Sequence, residues 1–261
     1  MRTDIIYWSK QQVHALRSFF GYRRVLRNPE FRANLQRLET MKGRHRGERC
    51  FIIGNGPSLK KTDLSLLRNE FTFGLNRIYL LFDQLGFSTS YYVSINRLVL
   101  EQFAAEIAAN VPCPKFTSWE NRDLVSTIPE MHFFYRHNRA SFHRDMTGGV
   151  WGGATVTYVA MQIAFHMGFQ KVILIGVDHS FATKGKPHKT VVSEGGDPNH
   201  FDPKYFGKGI RWQLPDLETS EFAYGLARQS FEEAGREIVD ATVGGQLQVF
   251  AKVDYLSLFK P

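Results

Sequence analysis

The fold prediction starts from residues 50–59, which read CFIIGNGPSL. The apolar run 50–53 predicts a short buried strand. Gly54 and Gly56 permit tight backbone conformations and the close approach of a ligand, and Pro57 suits the first turn of a helix. The stretch therefore predicts a strand, a tight turn and a helix in succession, which favours an α/β fold.

Apolar runs further along the chain predict more strands, and helical segments separate them. These strands are expected at 71–75, 91–95, 115–118, 131–135, 171–175 and 237–240. Helices are expected at 97–109, 154–167 and 218–234. The alternation predicts a Rossmann-like, mostly parallel sheet with helices on both faces.

The composition is that of a globular protein with a large core. Of 261 residues, 43% are hydrophobic and 22% are charged, and no uncharged apolar run is long enough to span a membrane. Cys50 and Cys113 have neither metal-ligand nor disulfide spacing, so we expect buried thiols in a reducing cytoplasm. No known metal-binding or hydrolase motif occurs, so no metal site is predicted.

The charge divides the chain into a basic N-terminal helical segment, residues 1–45, and a Rossmann-like domain, residues 46–261. Residues 1–50 hold 12 Lys or Arg against 4 Asp or Glu, whereas residues 51–261 hold 21 of each. A balanced body argues against a nucleic-acid partner. The apolar residues of the segment recur at helical spacing, with breaks expected at Gly21 and Asn28-Pro29. Residues 1–40 could contact an anionic membrane, or they could pack on the body or on a second copy in a homo-oligomer.

Polar residues follow several of the predicted strands. Asn76 and Asn96 end two of them, and Asp178-His179-Ser180 follows the strand at 171–175. Because ligands bind at the carboxyl ends of strands in such sheets, we expect these residues and the 54–58 turn to form one site. Free N–H groups after Pro57 would favour a phosphate. His179 has a side chain suited to acid–base chemistry, although a strand-end cap is an equally simple interpretation.

A long loop and a glycine-rich stretch could complete the site. Residues 182–215 are rich in Gly, Pro, Lys and His, and we expect a lid or a binding loop. The stretch 147–155 precedes the helix at 154–167 and could present N–H groups to an anion; a flexible connector is the alternative.

Several of these motifs resemble two related groups of proteins. Residues 53–59, the Asn76 and Asn96 strand ends, and the run 174–178 resemble the MptE-like Rossmann family, which includes motility accessory factors. They also resemble bacterial sialyltransferases with a GT-A-like fold, which use CMP-sialic acid without a metal. The resemblance covers roughly residues 48–250. It implies a glycosyltransferase that moves a CMP-activated, sialic acid-like or nonulosonic sugar onto a cell-surface glycan or protein.

The resemblance implies roles for Asn55, Gly56, Ser58, Asn76, Asn96 and His200, and the chemistry of the other candidate residues suggests theirs. His200, in the lid, would be the catalytic base that deprotonates the acceptor, ahead of His179 and His188, and Asp178 would assist. Tyr205 and Lys208 would stabilise the leaving phosphate. The full set of donor-binding residues would be Gly54, Asn55, Gly56, Ser58, Asn76, Asn96, Gly153, Thr155, Gly176, Tyr205 and Lys208. Gly153-Ala154-Thr155 replaces the Thr-Ser-Gly of the sialyltransferases, which leaves the sugar open.

Two alternatives remain at this point. One is a Mg²⁺-dependent phosphotransferase like 6-hydroxymethylpterin pyrophosphokinase, for which Asp178 would be an obvious carboxylate. The other is a nucleotide-binding module without turnover. The favoured hypothesis needs no cofactor beyond its nucleotide-sugar substrate and places the protein in the cytoplasm, with a peripheral position at the inner face of the cell membrane as a further expectation.

Overall fold

A computed structural model describes residues 2–260, with the backbone alone for residues 2–12. Twelve strands occur in this part of the chain: β1 (Arg49–Ile53), β2 (Phe71–Leu75), β3 (Tyr91–Val93), β4 (Lys115–Ser118), β5 (Met131–Phe134), β6 (Arg136–His137), β7 (Val150–Trp151), β8 (Lys171–Ile175), β9 (Thr190–Val192), β10 (Arg211–Gln213), β11 (Glu237–Asp240) and β12 (Ala251–Lys252). The α-helices are α1 (Arg2–Val25), α2 (Pro29–Glu39), α3 (Phe82–Leu85), α4 (Arg97–Asn110), α5 (Arg122–Val125), α6 (Val156–Met167) and α7 (Leu217–Glu232). Short 3₁₀ helices lie at Pro57–Lys61, Leu64–Leu67, Ile78–Leu81, Trp119–Asn121, Met146–Gly148 and Leu256–Phe259.

Eight of the described strands form one parallel sheet in the order β12-β11-β8-β1-β2-β3-β4-β5. The chain builds outward from β1 to β5 on one side and then places β8, β11 and β12 on the other side of β1. The strand order therefore reverses between β1 and β8. In open sheets of this kind, the crevice beyond the carboxyl ends at such a reversal is the usual ligand site.

The core lies on both faces of the sheet. In β8, Val172 and Leu174 pack on the face covered by α6 and α7, and Ile173 and Ile175 pack on the face covered by α4. Strands buried on both faces explain the continuous apolar runs in the sequence. Helix α6 is apolar around most of its circumference because nearly all of it is buried.

Helix α2 covers the edge of the sheet at β5. Phe31 and Leu38 are fully buried there, and the buried Asn34 side chain pairs with the backbone N–H and C=O of Phe133. These bonds occupy edge groups that would otherwise be open to another strand. Helix α1 continues through Gly21, so the predicted break at that residue is wrong.

The seven strands predicted from apolar runs are all present, and the predicted Rossmann-like fold is confirmed. The segment expected as a helix after Pro57 is instead a five-residue 3₁₀ helix. Cys50 is buried and Cys113 partly buried, and burial raises the pKa of the Cys113 thiol to about 11. No helix in the described part of the chain is both long and apolar enough to cross a membrane.

Candidate active site

A cavity of about 930 Å³ lies beyond the carboxyl ends of β1, β2, β3 and β8, with the 182–215 segment over it. This size is in the upper part of the range for small-ligand sites. Most of the predicted site residues line it: Gly54, Asn55, Gly56, Asn76, Asn96, Thr155, Gly176, Asp178, His179, His188, His200 and Tyr205. The structure does not bring Ser58, Gly153 or Lys208 to this lining.

Each of these three side chains has another position. Ser58 is buried beneath the turn and Lys208 is exposed on the lid. Gly153 adopts a φ of +56°, and a Cβ there would lie 2.4 Å from the ring of Tyr158 and 2.7 Å from Ala223. A glycine at position 153 therefore allows α6 and α7 to pack closely, and it does not contact the cavity.

The turn after β1 is bonded to the end of β8. The Gly56 N–H donates to the Gly176 carbonyl at 2.9 Å, and the Ser58 N–H and hydroxyl donate to the two Asp178 carboxylate oxygens at 3.1 and 2.6 Å. A Cβ on Gly56 would lie 1.8 Å from Asp178 Oδ2. Asp178 thus caps the 3₁₀ helix by accepting the Ser58 N–H, one of the N–H groups that were expected to bind a phosphate. This corrects the expectation that the N–H is available to a phosphate, and it shows Asp178, which was expected to assist catalysis, engaged by Ser58.

The three asparagines at the strand ends are held in different ways. Asn55 donates through Nδ2 to the Leu75 carbonyl at 3.0 Å, and its buried Oδ1 has no hydrogen-bond partner among the described residues. Asn76 has a φ of +48° and accepts from the Ser94 hydroxyl at 3.0 Å. Asn96 caps α4 through the N–H of residue 98 at 2.9 Å. Among these three, Asn55 offers a buried acceptor at the cavity wall for a donor group of a ligand.

Three of the described helices, α4, α6 and α7, begin at the cavity wall. Their N-cap side chains are Asn96, Thr155 and Asp216, and each accepts an N–H of its own first turn. At α4 and α6, whose first turns contain no acidic residue, the remaining first-turn N–H groups and the aligned peptide dipoles give this wall a partial positive charge, whereas the Asp216 carboxylate offsets that charge at α7. The wall therefore favours a negatively charged ligand group such as a phosphate.

His200 forms a pair with a carboxylate that the sequence analysis did not single out. Its Nδ1 lies 2.7 Å from Asp197 Oδ2, and its ring stacks on Tyr205 with the ring centres 3.9 Å apart. Burial would raise the pKa of Asp197, but the hydrogen bond and charge of His200, together with two backbone N–H groups, lower it below its usual value. This arrangement fixes the ring and leaves Nε2 for a substrate, which is the geometry of a general base.

The other two candidate histidines use the opposite nitrogen for their carboxylates. His179 Nε2 lies 2.9 Å from Glu221 Oε1, and His188 Nε2 lies 3.0 Å from Asp216 Oδ2. The His188 side chain is 61% exposed. His200 differs from them in its surroundings: the Asp197 carboxylate is buried, whereas the Glu221 carboxylate and the His188 ring are exposed, so the His200 ring is the most firmly oriented of the three.

Tyr205 supports the His200 ring from behind. It is fully buried, its hydroxyl accepts the Arg77 N–H at 3.3 Å, and burial raises its pKa. The sequence assigned this tyrosine to a leaving phosphate, whereas the structure shows it as a packing platform for the imidazole.

Arg77 fastens the lid to the body, a contact the sequence did not indicate. Its guanidinium lies 3.8 Å from the centre of the Phe103 ring, donates to the carbonyls of Lys204 and Tyr205, and pairs with Glu106 at 3.0 Å. The lid itself contains the antiparallel pair β9–β10. The 182–215 segment is therefore a folded cover over the strand ends.

The carboxylates of the cavity are engaged by neighbouring groups. Glu101 pairs with Arg97 at 3.0 Å, Glu120 with Arg136 at 2.6 Å, and Asp178 with Ser58 as above. Among the described residues, no group of three or more His, Cys, Asp or Glu side chains is placed to hold a metal ion.

Comparison with known proteins agrees with this architecture. A family model described as 6-hydroxymethylpterin diphosphokinase MptE-like matches residues 23–184. The chain belongs to this MptE-like family. The match includes the ends of β1, β2, β3 and β8 but stops before His200. No curated protein sequence matches the chain.

A solved structure shares the fold of this MptE-like chain. It is described as the structure of a MAf glycosyltransferase from Magnetospirillum magneticum AMB-1. The two sequences are 14% identical and superpose with a TM-score of 0.52. The superposition covers 87% of this chain and 39% of the other, so this chain spans well under half of that protein.

Proposed function

We propose that this MptE-like protein is a metal-independent glycosyltransferase whose donor is a nucleotide sugar, specifically a CMP-activated sugar of the sialic or nonulosonic acid class. The acceptor is a hydroxyl of a glycan or protein. The observation that carries the proposal is the Asp197–His200 pair at a cavity whose wall is built from three helix N-termini. The fold shared with a MAf glycosyltransferase supports the same reaction class.

The residues suggest a single displacement. His200 Nε2 removes the proton from the acceptor hydroxyl as the oxygen attacks the anomeric carbon of the donor. The glycosidic bond forms while the bond from that carbon to the phosphate oxygen breaks, and the nucleoside monophosphate leaves with the electron pair. Asp197 stabilises the imidazolium that His200 becomes, since its carboxylate accepts from Nδ1.

The negative charge that develops on the phosphate is met by the helix N-termini. Their N–H groups are fixed before the reaction, so they stabilise charge without reorganising. Arg97 and Arg136 also lie at the lining, where each is paired with a carboxylate, Glu101 and Glu120 respectively. Asn55 Oδ1, the buried acceptor, is placed to receive a donor group such as an exocyclic amine or a ribose hydroxyl.

The engaged carboxylates favour this reaction over a Mg²⁺-dependent diphosphokinase. Such an enzyme binds its ion through carboxylates and substrate phosphates. Here Glu101, Glu120 and Asp178 each pair with another residue of the chain. A diphosphokinase would need at least one of these pairs to open.

The test is single-turnover transfer with a panel of CMP-sugars and hydroxyl acceptors, in the presence of a chelator. We expect transfer with at least one CMP-sugar, and a loss of about 10²–10⁴-fold in the chemical step for His200→Ala, the range for a general base. Lys184→Ala, which removes an exposed side chain of the same lid outside the cavity lining, serves as the control and is expected to retain activity. Phosphate transfer from ATP that requires Mg²⁺, with no use of any CMP-sugar, would contradict the proposal.

A further inference from the structure

Helix α1 has one face fixed to the body and another exposed. On the fixed face, the buried Ser18 hydroxyl accepts the Asn138 N–H at 3.0 Å, and the Tyr22 hydroxyl donates to the Thr147 carbonyl at 2.7 Å. The Tyr22 ring also packs on Tyr135, with the ring centres 5.3 Å apart. The helix is therefore anchored, and its opposite face is directed outward in a fixed orientation.

The exposed face combines large apolar side chains with arginines. Leu16 is 57% exposed, Phe19 51% and Phe20 65%, and the neighbouring Val13 is 45% exposed. At 3.6 residues per turn, positions 13, 16, 20, 23 and 24 lie on one side of the helix, and Phe19 lies beside them. Arg17, Arg23 and Arg24 are also exposed. An apolar patch of this kind on a soluble protein marks an interaction surface.

The positive charge of residues 5–29 indicates which kind of partner fits the exposed face. Residues 5–29 contain no Asp or Glu, while they hold five Lys or Arg. A second copy docking on this face would bring arginines against arginines without a carboxylate from the same segment to offset them. An anionic bilayer can bind both the apolar side chains and the arginines of this face, because the apolar side chains enter the acyl boundary and the arginines pair with the lipid phosphates.

The location of the helix relates this face to the cavity. Ser18 and Tyr22 contact residues 135–147, which follow the carboxyl end of β5. Arg136, in the same segment, lines the cavity. The anchored half of α1 thus lies at the carboxyl edge of the sheet, the edge that holds the candidate active site.

We propose that the exposed face of α1, formed by Val13, Leu16, Phe19 and Phe20 with Arg17, Arg23 and Arg24, docks the protein on an anionic lipid bilayer. The proposal does not rest on the glycosyltransferase activity. It puts the docked helix at the edge of the sheet that holds the candidate active site.

The test is cosedimentation of the full chain with vesicles of phosphatidylcholine alone and of phosphatidylcholine mixed with phosphatidylglycerol. We expect binding to the mixed vesicles that weakens with added salt, and weaker binding to the neutral ones. The double variant L16S/F20S should lose at least about tenfold in binding, since insertion scales with buried apolar area. L256S, which changes a leucine that is 54% exposed near the C-terminus, is the matched control and should bind like the unmodified protein.

The contribution of the arginines to vesicle binding is tested separately with the variant R23Q/R24Q. K60Q/K61Q, which also removes two adjacent exposed cations but lies outside α1, is the control. Only the first pair should weaken binding to the mixed vesicles. Binding that L16S/F20S leaves unchanged, or no binding to either kind of vesicle, would overturn the proposal. Sedimentation equilibrium tests for a dimer. If the unmodified protein is a dimer that L16S/F20S dissociates, and it does not bind vesicles, the exposed face of α1 contacts a second copy instead of a bilayer. Circular dichroism checks that all four variants are folded.

Discussion

Replacement of Asp197 by Asn tests the positioning of the proposed base. Asp197 Oδ2 accepts from His200 Nδ1 at 2.7 Å and from the Phe206 N–H at 3.2 Å, and Oδ1 accepts from the Asn199 N–H at 2.8 Å. All three partners are donors. In D197N one oxygen becomes an NH₂ group, so a donor must face a donor whichever way the amide is turned.

The expected result is a large loss in the chemical step with a modest loss of stability. When the NH₂ group faces Nδ1, the His200 ring adopts the tautomer that carries its proton on Nε2, and this nitrogen can no longer take a proton from the acceptor. When the NH₂ group faces the Asn199 N–H instead, His200 still loses the carboxylate charge that stabilises its imidazolium. General-base catalysis contributes about 10²–10⁴-fold, so the activation free energy should rise by about 3–5 kcal/mol. One buried N–H without an acceptor should lower the free energy of unfolding by about 1–3 kcal/mol.

The assay is single-turnover transfer at saturating donor, with donor affinity and thermal unfolding measured on the same samples. Asp202→Asn is the matched control, because it removes the same charge from the same lid at a position whose carboxylate accepts, among the described residues, only from the nearby Lys204 N–H. The chemical step of D197N should fall while donor affinity stays near that of the control. A folded D197N that turns over at the control rate would refute the positioning role of Asp197.

Two further predictions concern stability. The buried His132 has no hydrogen-bond partner for either ring nitrogen among the described residues, and burial lowers its pKa from 6.5 to about 4. As pH falls from about 6.5 to 4, the unfolded chain therefore binds a proton that the folded chain does not, and the free energy of unfolding should fall by about 2 kcal/mol at about pH 5. In denaturant titrations His132→Phe should remove this acid-dependent loss of stability. An unchanged pH dependence in that variant would contradict the role given to His132. Gly56→Ala should lower the free energy of unfolding by about 1–3 kcal/mol, because its Cβ would meet Asp178 Oδ2 at 1.8 Å, whereas Gly225→Ala, with open space inside α7, should be neutral or stabilising. Equal unfolding midpoints for these two glycine variants would show that the Gly56–Asp178 contact is not close.

Much of the sheet could be predicted because its central strands are buried on both faces. The runs at 50–53 and 171–175 are continuous and apolar for that reason, and a strand at each was expected within a residue of its observed bounds. The asparagines that follow β2 and β3 also marked the edge where the cavity lies. The two-residue strand β12 was not predictable in this way, because both of its residues are exposed and carry no pattern.

The contacts inside the site depend on residues far apart in the chain. Asp178 was expected to assist catalysis, but it bonds to Ser58, 120 positions earlier, and no local pattern indicates such a pairing. Arg77 reaches the lid across a similar separation. Asp197 was the exception, since an aspartate three residues before His200 is a local signal that could have been used.

A calorimetric titration of the chain with CMP, CDP and ATP in the presence of a chelator measures whether the cavity beyond β1 and β8 binds an activated phosphate ester. We expect saturable binding of a cytidine nucleotide at one site per chain, tighter than any binding of ATP. Absence of binding by all three nucleotides, or binding of ATP that appears only when Mg²⁺ replaces the chelator, would contradict it.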